Sequence, residues 1–219
     1  AAEPAESEVG VSAGRLVSRL TQEREDLASA EGIEPAGLAG VLDAAAAASV
    51  ARLAGASPRS IAQGLAAYTV AGHRGAVIHE HSGISFIDNS KATNPHAADA
   101  ALKGLNSVVW IAGGQLKGAE VDGLVAKHAA QIKAAVVLGA DRQEIAQALA
   151  EHAPHAPVDV IQSNDPAAAM NAAVDAALQH AEAGDTVLLA PAAASLDMYT
   201  GMAQRGDFFA VAARELTRD

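Results

Sequence analysis

The sequence contains no cysteine. That removes disulfides, thiolate metal sites and cysteine nucleophiles, and it suits a cytoplasmic protein. Aromatic residues make up only 3% of a chain that is 50% hydrophobic, so the core has to be built from Ala, Val, Leu and Ile in closely packed helices and strands. Basic residues are also in short supply, with 15 Lys and Arg against 26 Asp and Glu and a formal net charge of -11. A nucleic-acid backbone is gripped mainly by Lys and Arg, so this balance argues against such a partner while leaving room for local cationic sites. No apolar run approaches the roughly 18 residues needed to cross a bilayer. Gly-Lys-Ser and Gly-Lys-Thr are both absent, and with them the loop that most often cradles nucleotide phosphates. The first ten residues are acidic, lack a basic start and lack Met. They are expected to be neither a signal peptide nor a natural beginning but a cut into a longer protein.

What is present is organised around residues 86–96, Phe-Ile-Asp-Asn-Ser-Lys-Ala-Thr-Asn-Pro-His. Phe86 and Ile87 close a strand, and Asn94-Pro95 is a helix start, with Asn at the cap and Pro at the first helical position. A strand that delivers Asp88, Ser90, Lys91 and Thr93 to a helix N-terminus combines free N–H donors, a positive dipole end and a mobile ammonium, a combination suited to an anion.

At 219 residues the chain exceeds the roughly 100–150 residues of a usual domain, so one full domain plus part of another is expected. Before residue 70 the pattern gives short strands around Gly10 and Gly14, an Ala-rich helix over 35–54 and a second helix capped by Ser57-Pro58, with Ile61 and Leu65 on one face. Leu38, Leu42, Val50 and Leu53 are the larger apolar residues of the first helix. The pattern changes at residues 70–74, which sets a boundary between domains 1–72 and 73–219. A hairpin follows, 76–79 and 84–87 across Ser82-Gly83. Strand and helix then alternate: 107–111, 121–132, 134–138, 143–150, 158–161, 167–181 and 186–189. A last helix over 204–217 is expected to bury Phe209, Ala212 and Leu216. Such alternation specifies an α/β fold with a mostly parallel, doubly wound, Rossmann-like sheet and helices on both faces.

Ligands of such sheets lie beyond the carboxyl ends of strands. Three segments qualify: the 88–96 stretch, Gly113-Gly114-Gln115-Leu116-Lys117-Gly118, and residues 190–197 with Ser195 and Asp197. Paired glycines let the second segment turn tightly and approach a ligand with Lys117 extended over it. The dinucleotide G-x-G-x-x-G spacing is absent. Two lysines and a serine share one sheet edge, and unpaired ammonium groups clustered there would repel unless an anion or carboxylate joined them.

These residues, with Gly-His-Arg at 72–74, Gly-Ala-Asp-Arg at 139–142 and Gln-Arg-Gly at 204–206, closely resemble the Mur ligases, nearest to their D-glutamate-adding branch, from residue 35 to the end. The resemblance implies a three-domain, ATP- and Mg-dependent, monomeric ligase of peptidoglycan synthesis. In it UDP-N-acetylmuramoyl-L-alanine is phosphorylated to an acyl phosphate and the amine of D-glutamate attacks. It further implies that residues 1–72 are a mainly helical remnant of the ATP-binding domain, that ATP and Mg are held mainly by residues outside this chain, and that the chain alone makes no acyl phosphate. On the matching positions Lys91, Thr93, Lys117, Ser195, Leu196 and Met202 would hold D-glutamate, and Arg74, Asn89 and Asp43 would face the nucleotide. Asn89 stands where the family commonly has an acid. Ala39, Gly40 and Asp43 stand where many relatives carry His-Asn and a further Asn.

Other signals are read as structural. His79-Glu80-His81 is taken as solvated rather than metal-binding, His128 as a hydrogen-bonded boundary residue, and Arg205-Gly206-Asp207 as helix-start chemistry. The rivals to a ligase part are a non-catalytic dicarboxylate- or nucleotide-binding module and a folylpolyglutamate synthetase-like ligase domain.

Overall fold

A computed structural model describes residues 4–21, 23–35 and 37–217. The chain separates into two compact units, Ala1–Val70 and Ala71–Asp219.

In the first unit β1 (Val9–Ser12), β2 (Arg15–Ser18) and β3 (Glu25–Ser29) form an antiparallel sheet. Ala13 and Gly14, both at positive φ, make the tight turn that matches strand twist. The third strand is not announced by its sequence, Glu-Asp-Leu-Ala-Ser, because acids are poor strand formers and only Leu27 and Ala28 are buried. Helices α1 (Leu38–Leu53) and α2 (Pro58–Ala67) complete the unit. The first begins three residues later than its composition suggests, since Gly37 sits at φ 91, outside helical space. Ser57 caps α2 by accepting from the Ser60 N–H at 3.1 Å. The core joins Leu16, Leu27, Ala45, Ala48 and Ile61, while Leu38, Leu42, Val50 and Leu53 are all exposed.

The second unit is a six-stranded sheet of order β4-β5-β9-β6-β7-β8. Its strands are β4 (Ala76–His81), β5 (Ile84–Asp88), β6 (Val108–Gly113), β7 (Ile132–Leu138), β8 (Val158–Val160) and β9 (Thr186–Leu189). Only the β4–β5 hairpin, turned by Ser82 and Gly83 at positive φ, is antiparallel, and every other pairing is parallel. Successive strand residues face opposite layers. Trp110, Ala112, Val137 and Leu188 pack with Leu102 of α3 (Pro95–Leu102), Val125 of α4 (Asp122–His128) and Ile145 of α5 (Arg142–His152). Val109, Ile111, Val136 and Leu189 pack with Met170 of α6 (Pro166–His180) and Phe209 of α7 (Met202–Leu216). Burial on both faces is why these strands read as unbroken apolar runs.

Two sequence readings are corrected. The helix expected over 121–132 ends at His128, followed by a 3-10 turn over Ala129–Gln131, and Ile132 already belongs to β7. Leu216 is exposed, not buried, because at the end of α7 it is Arg214 and Thr217 that reach β4, through Ile78 O and His79 Nε2. His128, by contrast, is buried, with Nε2 at 2.6 Å from Asp99 Oδ1 and Nδ1 at 2.8 Å from Gln131 Oε1.

Candidate functional site

Because β5, β9 and β6 are neighbours in the sheet, the three loops that leave their carboxyl ends emerge side by side. The backbone stitches them together: Asn89 N–H donates to Leu189 O at 2.9 Å, Gly113 N–H to Pro191 O at 2.8 Å, and Gln115 and Ala194 exchange N–H···O bonds of 2.8 and 2.9 Å. Three non-glycine residues in these loops and the segment before β4 hold positive φ, His73 at 65, Lys117 at 56 and Ala192 at 59. Such conformations persist only where the surroundings over-determine them.

The β5 loop is anchored by Asp88, whose buried carboxylate accepts the Ser90 N–H at 2.9 Å and meets His73 Nδ1 at 2.7 Å. Helix α7 crosses close by, and a Cβ on Gly206 would collide with the His73 ring and Asp88. Lys91 N–H donates to His73 O at 3.0 Å. Asn94 then caps α3 by accepting from the Ala97 N–H at 2.9 Å, as its position before Pro95 implies.

The residue that joins the loops was missed in the sequence. Arg205 is 1% exposed, and its guanidinium reaches all three. Nε donates to Ser90 Oγ at 3.0 Å, Nη2 to Ser90 O at 2.9 Å, and Nη1 to Gly113 O at 3.2 Å and Ala193 O at 3.1 Å. Ser90 Oγ in turn donates to Met202 O at 2.7 Å. Burial lowers the Arg205 pKa to about 10, so the group stays charged at neutral pH and its donors satisfy carbonyls that would otherwise be orphaned. A signal was available, because Arg205 lies four residues before the buried Phe209 and therefore on the inward face of α7. Arg205 and Gly206 are thus packing residues of α7 rather than helix-start chemistry, while Asp207 is exposed.

The paired glycines also differ from expectation. Their close approach is to protein: a Cβ on Gly113 would strike the Leu138 carbonyl, and one on Gly114 the Ala194 carbonyl. This brings in a fourth loop, after β7. Asp141 Oδ2 accepts the Leu116 N–H at 2.7 Å, and Asp197 Oδ2 accepts the Ala140 N–H at 2.8 Å.

On this frame Lys91 and Lys117 are exposed and neither ammonium has a carboxylate partner among the described residues. Thr93 is half-buried between Lys91 and the α3 cap. Ser195 does not present its side chain openly, being 3% exposed, whereas its neighbour Leu196 is 63% exposed. Met202 is half-buried at the start of α7. Arg74 is exposed beside His73, and Asn89 is half-buried. Asp43 belongs to the first unit, on an exposed turn of α1 bordering an Ala-lined groove of about 470 Å³ between α1 and α2. On that helix the side chain of Ala39 lies outside the described residues, and a Cβ on Gly40 would collide with the Pro35 carbonyl, so that position serves packing. In the hairpin, His79 Nε2 meets Thr217 Oγ1 at 2.7 Å and its ring stacks on His81 with centroids 6.4 Å apart.

Residues 73–193 match the family model described as Mur ligase, glutamate ligase domain. A UDP-N-acetylmuramoylalanine–D-glutamate ligase from Corynebacterium efficiens is 60% identical over 96% of this chain and 44% of its own length. One of the same name from Corynebacterium diphtheriae is 54% identical over 99% of this chain and 46% of its own length. The chain therefore spans a little under half the length of these relatives. Among solved structures, a pseudomurein peptide ligase type C from Methanothermus fervidus superposes with a TM-score of 0.60 at 14% identity over 97% of this chain and 42% of that one. MurF from Acinetobacter baumannii does so at 0.58 and 17% identity over 94% and 43%. At such identities these two structures speak for the fold alone.

Proposed function

The chain belongs to the Mur ligase family, through its glutamate ligase domain, and from that premise we propose that it is the amino-acid-accepting part of a cytoplasmic ligase joining D-glutamate to UDP-N-acetylmuramoyl-L-alanine in peptidoglycan synthesis. The observation that carries this reading is the pair of exposed, unpaired ammonium groups, Lys91 and Lys117, on loops that leave neighbouring strands. Glutamate brings two carboxylates, and charge-assisted donors are what two carboxylates require. Lys91 and Lys117 supply the positive charge and Thr93 a hydroxyl. Ser195 offers its loop backbone more than an open hydroxyl, while Leu196 and Met202 supply apolar surface to the substrate's methylenes. Held in this way, the amine of D-glutamate attacks the activated carbonyl, the C–N bond forms, phosphate leaves and the amine gives up a proton.

The family is ATP-dependent, and the nucleotide supplies the phosphoryl group that activates the carboxylate. Within this chain Arg74, exposed and without an ion-pair partner among the described residues, fits a nucleotide phosphate, and Asn89 a ribose hydroxyl. Asp43 is assigned to the nucleotide only as a polar group on α1. A magnesium ion is assigned to no residue here, because Asp88, Asp141 and Asp197, the acids of these loops, each already accept a backbone N–H group. With no Gly-Lys-Ser or Gly-Lys-Thr in the sequence, we expect the isolated chain to show no ATP-dependent ligation.

The test is an NMR titration of this chain with D-glutamate and, separately, L-glutamate. The D enantiomer should shift amides around Lys91, Lys117 and Ser195 at millimolar concentration, the weakness reflecting a site without its full enclosure. Equal shifts with both enantiomers, or none near these three residues, would overturn the reading.

A further inference from the structure

Lys117 occupies a conformation that its side chain does not favour. Lys117 and Gly118 hold φ 56 and 78, and the Ala119 N–H donates to Leu116 O at 3.1 Å, which makes residues 116–119 a turn with both central residues left-handed. Such turns select Asn, Asp or Gly at their first central position, and a left-handed lysine is strained. Nothing about chain reversal calls for a lysine at that point, so the turn itself does not account for its side chain.

The turn is held from outside. Leu116 anchors its entrance, with its side chain in the core and its N–H donated at 2.7 Å to Asp141 Oδ2. The Asp141 N–H returns a 2.9 Å bond to Gly114 O. Asp141 is also the residue that precedes α5, where an aspartate ordinarily turns its carboxylate onto its own helix. Here that capping bond is not made. The carboxylate is diverted across the sheet edge to the neighbouring loop, leaving the first turn of α5 uncapped by it in order to fix the turn that carries Lys117.

We propose that Asp141 is a positioning residue for Lys117: it sets the left-handed turn that aims the ammonium at the carboxylate of the incoming amino acid. The proposal rests on the reading of Lys117 given above, and the two are separable by experiment. An N–H bond to a carboxylate is stronger than one to a neutral oxygen, but the amide oxygen of Asp141→Asn can still accept from Leu116, whereas Asp141→Ala cannot.

Four forms of this chain should be compared by D-glutamate titration: the parent, Lys117→Ala, Asp141→Ala and the double variant. Asp141→Asn serves as the conservative control and Trp110 fluorescence as the check of folding. Asp141→Ala should weaken binding roughly tenfold, Asp141→Asn should retain most of it, and the double variant should bind no worse than Lys117→Ala, because a residue acting through Lys117 has nothing to act on once the ammonium is gone. Independently of any ligand, the Lys117 amide-to-α-proton coupling should leave its left-handed value in Asp141→Ala and keep it in Asp141→Asn. If Lys117→Ala weakens binding but Asp141→Ala does not, or if the Lys117 coupling is unchanged without the carboxylate, the positioning role is refuted. If Lys117→Ala binds normally, the reading of Lys117 fails and the aim of the proposal fails with it, while the coupling still reports whether Asp141 sets the turn. Should Asp141→Ala not fold, Asp141→Leu carries the same comparison with the cavity filled.

Discussion

The two units use the same apolar vocabulary to opposite effect. In the second unit the large residues are inside: Trp110, Phe86, Phe209, Leu102, Ile145 and Leu188 are among its fully buried side chains. In the first, the inward face of α1 is made of Ala44, Ala45 and Ala48, and the large residues point outward, Val50 at 69% and Leu53 at 74% exposure. A helix apolar on opposite faces belongs between two layers, and among the described residues of its own unit only one face of α1 is covered. A doubly wound sheet satisfies its helices within the unit, whereas the three-stranded sheet and its helix pair leave apolar surface and an Ala-lined groove open to an occupant.

The largest expected effect tests the second unit where its loops meet. Arg205→Met leaves the carbonyls of Ser90, Gly113 and Ala193 without their donor and should destabilise by about 3–5 kcal/mol. Urea unfolding followed by Trp110 measures this, since the only Trp is fully buried and its Nε1–H donates to Ala190 O at 2.8 Å. The counterpart in the first unit, Arg52→Met, breaks the partly exposed pair with Glu25 at 2.6 Å and should cost no more than about 1 kcal/mol by regional hydrogen exchange.

Truncating one leucine in each unit sharpens the contrast. Leu102→Ala should cost about 2–5 kcal/mol, while Leu53→Ala should change stability by less than about 0.5 kcal/mol. Equal costs would mean that Leu53 is covered in solution. A pair of glycines should differ in sign. Gly206→Ala forces a methyl against His73 and Asp88 and should destabilise by about 1–3 kcal/mol. Gly64→Ala, inside α2 with nothing in the way, should stabilise by up to about 1 kcal/mol.

The smallest effect is in acid. Burial alone would raise the Asp185 pKa, but hydrogen bonds from Lys133, Ser107 and the Glu182 backbone outweigh it and hold the carboxyl below its ordinary value. A depressed acid contributes stability that is present above its unfolded-state pKa and lost as pH falls through its folded-state pKa. Asp185→Asn should therefore flatten the acid limb of the Trp110-detected stability profile. An unchanged acid limb would show that the Lys133 network carries no net stabilisation.

Much of this was legible from local chemistry. Ser57-Pro58 and Asn94-Pro95 each start a helix, and each cap accepts the expected N–H. Ser82-Gly83 turns the hairpin, and the strands expected over 107–111 and 134–138 are found as Val108–Gly113 and Ile132–Leu138, buried on both faces. Lys91, Lys117 and Ser195 could be placed on one sheet edge because alternating strand and helix forces a parallel sheet. What stayed hidden involved partners distant in sequence. The strand over Glu25–Ser29 exists through pairing with β2, Arg205 reads as an ordinary surface arginine until α7 is docked, and Gly113 and Gly114 admit backbone rather than ligand.

The sequence by itself determined where elements start and stop and which residues carry charge to the strand ends, because caps, turns and apolar periodicity act within a few residues. Only the tertiary structure decided that Ser195 is enclosed, that Arg205 binds three loops into one frame, and that the Asp141 carboxylate serves the Lys117 turn rather than its own helix. Those outcomes depend on which strands become neighbours, and the β5-β9-β6 order brings together segments about 100 residues apart.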